Sequence, residues 1–198
     1  MKRIAIDIND VVRNFSKNFG VVYQKFVDSS LDTDKLKITD FDLSKVFNFK
    51  SKQEYSNFVY IDYPYELFGC AEACHRNLGA RLCDWIGNDL TNIEDRPEIL
   101  LVSPFEYALT IQSTCHFLSH LPCRIREIYF PEDSRTIWNR CDILITANPN
   151  LLSSVPEGKT VVKIKTDYNG HCEAEHEYNS LMDLMNDEEQ KFIKLLEQ

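Results

Sequence analysis

Arg3-Ile4-Ala5-Ile6-Asp7-Ile8-Asn9-Asp10-Val11-Val12-Arg13-Asn14-Phe15 is the stretch that decides the fold. Residues 3–8 are an apolar, β-branched-rich run of the kind that fills a strand buried on both faces. The run ends on acids and amides, and from there the period changes. Val12, Phe15, Phe19, Val22, Tyr23 and Phe26 recur at three- and four-residue steps, which predicts a helix over about residues 13–27. A buried strand that delivers Asp7 at its C-terminal end and then turns into a helix is where open α/β sheets place ligand sites.

Working outward, the same theme returns. Residues 98–103 form a second apolar run, ending on Ser103 before Pro104, and a helix is expected over about 105–121. Further strands are expected over 123–130, 141–147 and 160–166, with a short helical connection at 134–140 and helix from Tyr178 to Leu196. Alternating strands and helices imply parallel strands joined by right-handed crossovers: an α/β, three-layer, Rossmann-like sheet. Between the first two strands lie about 85 residues, far more than a crossover needs. A small helical cap inserted after the first strand explains them. The expected organisation is a core of residues 1–27 and 91–198, with the cap over 28–90. Within the cap, aromatics cluster from Phe41 to Phe68 and serve either its own core or a partner surface.

Composition bounds the function. The 198 residues carry 31 acids against 22 Lys and Arg, a net charge of -9, which argues against a broad nucleic-acid surface. The seven cysteines are odd in number and scattered, as expected of reduced thiols in a cytoplasmic setting. The N-terminal apolar run is too short for a signal sequence or a membrane span. The pairs Cys70/Cys74 with His75, and His116/His120, have helical i, i+4 spacing, and His171, Cys172 and His176 form a loose third group. Each lacks the converging second pair that a zinc site needs. Cys115 beside His116 has the wrong geometry for a nucleophile and its base.

The strand ends resemble motifs of the haloacid dehalogenase-like phosphohydrolases, and by pattern the cytosolic 5′(3′)-deoxyribonucleotidase group. The resemblance covers residues 3–27 and 97 to about 166. It implies that Asp7 occupies the position of the nucleophile that accepts a phosphoryl group, offset by Mg²⁺ and hydrogen-bond donors. The family's Asp-x-Asp-Gly-Val reads Asp7-Ile8-Asn9-Asp10-Val11 here. Asn9 therefore stands at the general acid/base position and Asp10 at that of the glycine. An amide cannot transfer a proton, so a contribution of roughly 10²–10⁴-fold is expected to be lost. Ser103 and Pro104 match the second motif, with Val102 in place of Thr. Asp142-Ile143-Leu144-Ile145 matches the start of the fourth, but Thr146 and Ala147 take the two metal-binding acid positions, leaving Asp7 as the main anionic ligand. The motif lysine falls near Thr136; no lysine lies between Lys52 and Lys159, which leaves Arg135 or Arg140 as phosphate-binding candidates.

These losses lie on separate strand ends, yet they concern groups that act as a unit. The sequence reads as a haloacid dehalogenase-like protein with degraded catalytic motifs, inactive or nearly so. Two roles follow from it. One is a pocket that binds a nucleotide or phosphate, with no cofactor. The other is a structural component, a homo-oligomer or a partner's support, of the kind a phage-borne gene contributes to a particle formed in the cytoplasm. The alternative is a Mg²⁺-dependent phosphohydrolase of the 5′-nucleotidase type using Asp7.

Overall fold

The computed structural model describes residues 1–93, 96–123, 125–188 and 191–197. Arg124 of the expected third strand, Glu94 and Asp95 of the loop before the second, and Glu189 and Gln190 of the expected C-terminal helix lie outside the described residues.

Six parallel strands form one sheet in the order β3-β2-β1-β4-β5-β6. They are β1 (Arg3–Asp7), β2 (Glu98–Val102), β3 (Glu127–Tyr129), β4 (Ile143–Thr146), β5 (Thr160–Ile164) and β6 (His176–Tyr178). Side chains alternate along β1. Ile4 and Ile6 enter a core cluster with Leu101, Ile143, Ile145, Val162 and Ile164, while Ala5 faces the opposite cluster with Leu100, Leu144, Ile137 and Leu151. Both faces are covered, which is why the strands are apolar throughout. Chain order runs outward from β1 through β2 and β3, then restarts at β4 on the other side. The switch point, where a crevice opens above the strand ends, is thus the β1–β4 boundary.

The helices are α1 (Phe15–Phe26), α2 (Lys52–Asn57), α3 (Leu78–Asp84), α4 (Leu109–Ser119), α5 (Pro149–Leu152), α6 (Leu181–Met185) and α7 (Lys191–Glu197). Helix α1 starts two residues later than its apolar period implies, because Asp10–Arg13 form a tight turn in which Val12 and Arg13 donate to Ile8 O at 3.0 and 2.8 Å. The expected connection at 134–140 is a 3₁₀ segment, Ser134–Asn139. The sixth strand was not expected from the sequence.

The long insertion divides in two. Phe19 and Tyr23 of α1 pack with Leu43, Phe47, Phe58, Val59, Leu67 and Phe68 in a separate, mainly aromatic cluster, with ring centroids of Phe19 and Phe47 4.8 Å apart. The Phe41–Phe68 aromatics therefore chiefly build the cap's own core. Leu78, Leu82, Trp85, Leu90 and Ile93 instead pack on the sheet. Within residues 28–90, the stretch from α3 onward thus belongs to the core layer by its contacts.

Candidate functional site

The C-terminal ends of β1, β2 and β4 meet under the aromatic cap and enclose a cavity of about 330 Å³. Its floor is Asp7, Asn9, Asp10, Glu106, Asn148 and Asn150; Phe15, Tyr55, Val59, Tyr60 and Phe68 come from the cap side; Phe41, Asp42 and Tyr168 close it laterally. Among the described residues that line it, four are acids and none is Lys or Arg.

Asp7 is buried at the end of β1, paired in register with Val102 of β2. Its Oδ2 accepts from Thr146 Oγ1 at 2.7 Å and its Oδ1 from the Asn9 backbone N–H at 3.3 Å. Burial pushes its carboxyl up to about 7, against the lowering effect of these two bonds. Asp10 sits at φ 58°, the left-handed region that glycine adopts freely, at the position where the resembled motif has glycine. Its carboxylate accepts from Ser16 N at 2.8 Å, from Ser16 Oγ and from Tyr168 Oη at 2.9 Å. Burial raises its pKa as well.

Beneath the floor lies Arg13, fully buried. Its Nε and one Nη2 hydrogen donate to Asn9 Oδ1 at 3.1 and 2.6 Å. Nη2 also donates to Glu106 Oε1 at 2.6 Å. Nη1 donates to Thr114 Oγ1 at 2.5 Å and to Phe68 O at 3.0 Å. A guanidinium has five N–H donors, so all are used within the protein. The Phe68 ring lies against the same guanidinium, 4.9 Å from centroid to Cζ. Ser103, also fully buried, donates its Oγ to Glu106 Oε1 at 2.5 Å and accepts from Asn9 Nδ2 at 3.4 Å. Positive φ angles at Phe105 (67°) and Ala108 (48°) bracket Glu106, which turns inward from this loop.

The structure brings Asp7, Asn9, Ser103 and Thr146 together, but not the other predicted residues. Ala147 places its methyl in the core, and Asn148, one residue on, reaches the cavity wall. The one-residue offset shows that reading the second acid position at Ala147 points it away from the site. Arg135 is exposed and pairs with Asp133 at 2.7 Å, away from the cavity; Arg140 pairs with Glu127 at 3.3 Å. Thr136 bonds Tyr129 Oη at 2.9 Å. Asp142 lies at the opposite end of β4, where it accepts from Arg3 N and Lys159 Nζ, each at 2.9 Å. Arg13, Glu106, Asp10 and Tyr168 are the residues that sequence reasoning missed or undervalued. The left-handed φ of a motif glycine position was the one signal that could have flagged Asp10.

The donors fit Mg²⁺ poorly. Both oxygens of Asp7 and both of Asp10 are engaged by protein hydrogen bonds, and among the described residues no three His, Cys, Asp or Glu side chains are placed to hold a metal ion together. His116 instead contacts Tyr65 Oη through Nε2 at 3.1 Å, and the Cys74 and Cys141 thiols are pushed up to about 12 by burial, which makes them poor nucleophiles.

No protein-family model matches the chain, and no curated protein matches it in sequence. Solved structures do. A haloacid dehalogenase-like hydrolase from Burkholderia xenovorans LB400 superposes with a TM-score of 0.57 at 10% identity, over 96% of this chain and 98% of that one. A haloacid dehalogenase-like family hydrolase from Xanthomonas campestris gives 0.55 at 10% identity, over 100% and 99%. The fold is haloacid dehalogenase-like. At this identity the likeness is one of fold, and the chemistry has to be argued from the site. Among the described residues no helix is long and apolar enough to cross a membrane.

Proposed function

We propose that this chain is a non-hydrolytic protein on a haloacid dehalogenase-like fold, whose cavity binds a small molecule other than a phosphate ester. One observation carries the reading. Among the described residues that line the cavity there are four acids and no Lys or Arg, and the buried Arg13 has spent every donor on Asn9, Glu106, Thr114 and Phe68. A phosphate dianion entering this space meets carboxylates, and among the described residues that line it no Lys or Arg can bond its oxygens.

The residues that would do chemistry support the same reading. Asn9 cannot transfer a proton as a general acid or base, and its oxygen is held by Arg13. Asp7, with its pKa at about 7, is only partly ionised at neutral pH, and Thr146 donates to one of its two oxygens, which lowers that oxygen's nucleophilicity. The alternative, a Mg²⁺-dependent phosphohydrolase of the 5′-nucleotidase type, is favoured by the placement of Asp7 at the strand end facing the cavity. A structural role in an assembly is favoured by Ile61, Tyr65, Phe105, Tyr107 and Leu109, which are 47–64% exposed.

Steady-state phosphate release from deoxynucleoside monophosphates and an aryl phosphate, with and without Mg²⁺, separates these readings. The expected result is no turnover above that of Asp7→Asn. In Asn9→Asp/Asn148→Asp, which puts an acid at the general acid/base position and a second at the cavity wall, any Mg²⁺-dependent rate should exceed that of the wild type. Wild-type turnover abolished by Asp7→Asn would overturn the proposal.

A further inference from the structure

We infer that the cavity is a site for a small organic cation, an ammonium group carried on an apolar body. This rests on the reading of the cavity as a binding site and names the class of ligand.

The first observation is shape and lining. About 330 Å³ is at the small end of ligand sites, and much of its wall is aromatic: Phe15, Phe41, Tyr60, Phe68 and Tyr168. Aromatic faces attract ammonium groups through their negative quadrupole, and the attraction strengthens where water is excluded. The second is the charge that remains once internal pairs are subtracted. Glu106 is neutralised by Arg13 at 2.6 Å. Asp42, at the mouth, has exposed Lys45 3.9 Å away. Among the described residues no cation makes a direct ion pair with Asp7 or Asp10; hydroxyls and backbone N–H groups bond their carboxylates, the buried Arg13 charge acts on both from a distance while it is paired with Glu106, and Asp10 raises the pKa of Asp7 further. Two buried carboxyls that are hydrogen-bonded but lack a direct ion-pair partner favour an entering positive charge over a neutral group, and disfavour an anion.

A metal ion does not answer the same demand, because among the described residues no three acid, His or Cys side chains are placed to hold one together and the aromatic rings offer it no ligand. An ammonium needs only acceptors nearby and apolar contact for its body. Asn148 and Asn150 line the same space and add amide groups for orientation.

The test compares isosteres on the whole protein. Benzylammonium, benzyl alcohol, benzoate, benzyl phosphate and MgCl₂ alone are titrated by calorimetry near pH 7, with thermal shift in parallel. Benzylammonium is expected to raise Tm with concentration and to bind at least tenfold more tightly than benzyl alcohol, with no binding of benzoate. Its binding should release protons, seen as a heat that depends on the buffer, because it favours the ionised form of Asp7. Asp7→Asn and Asp10→Asn, each checked for an intact fold by its own melting curve, should each weaken benzylammonium at least tenfold and leave benzyl alcohol unchanged. Equal binding of the alcohol, binding of Mg²⁺ alone with none of the amine, or no binding of the amine at millimolar concentration would overturn the cation assignment and leave the non-hydrolytic reading standing. Hydrolysis of benzyl phosphate with Mg²⁺ would overturn the reading itself.

Discussion

Asp7 shows how burial changes what a carboxylate does. Buried at the end of a strand, its charged form loses hydration that two hydrogen bonds restore only in part, so its carboxyl rises from 3.8 to about 7. Below pH 4 the group is protonated in both folded and unfolded chains and contributes no pH dependence. Between about 4 and 7 the unfolded chain ionises it and the folded chain does not, so stability falls as pH rises, levelling off above 7. A rise of that size corresponds to a few kcal/mol at most. Asp7→Asn removes this burden and can keep a donor or acceptor toward Thr146. Its Tm should exceed that of the wild type at pH 8 and converge with it at pH 4, as read by thermal melts across that range. An excess that is the same at both pH values would mean that Asp7 is ionised in the folded state throughout.

Among the elements, Arg13 is the tie. From the turn before α1 it bonds Asn9 beyond β1, Glu106 in the loop after β2, Thr114 on α4 and the Phe68 carbonyl in the cap. Arg13→Met should cost about 3–5 kcal/mol, because it leaves Glu106 buried and unpaired. Adding Glu106→Gln should restore part of that loss, a coupling that denaturant melts of the single and double variants measure. Additive losses would show that the pair is not coupled. Nothing local announces this pair. Arg13 stands beside a helical stripe and Glu106 follows a proline, 93 positions later. Strands β1, β2, β4 and β5 were legible because strands buried on both faces must be apolar runs, and the edge strand β3 because it lies within the expected 123–130 segment. His176–Tyr178 was not, since three residues at a sheet edge, with Glu177 held by Lys163 at 3.0 Å, carry no such run. The cap's aromatics were legible as a group, but the point at which the insertion stops being cap and becomes core, near Leu78, was not. Helical periodicity looks the same against either partner.

At the scale of the molecule, the sheet order places its switch point under the cap, and the chain keeps the cavity that this topology creates. The lining sets what the cavity asks of a ligand. Hydrogen bonds hold Asp7 and Asp10 in place, Arg13 is enclosed, and aromatic rings form the walls. On the proposed reading, a haloacid dehalogenase-like fold here carries a site that disfavours a phosphate ester. The most direct measurement is a single-turnover experiment, with protein in excess over a radiolabelled deoxynucleoside monophosphate and Mg²⁺, quenched in acid and read for phosphorylated protein and free phosphate. Expected is neither species above the level seen with Asp7→Asn; a burst approaching one equivalent, lost in Asp7→Asn, would contradict it.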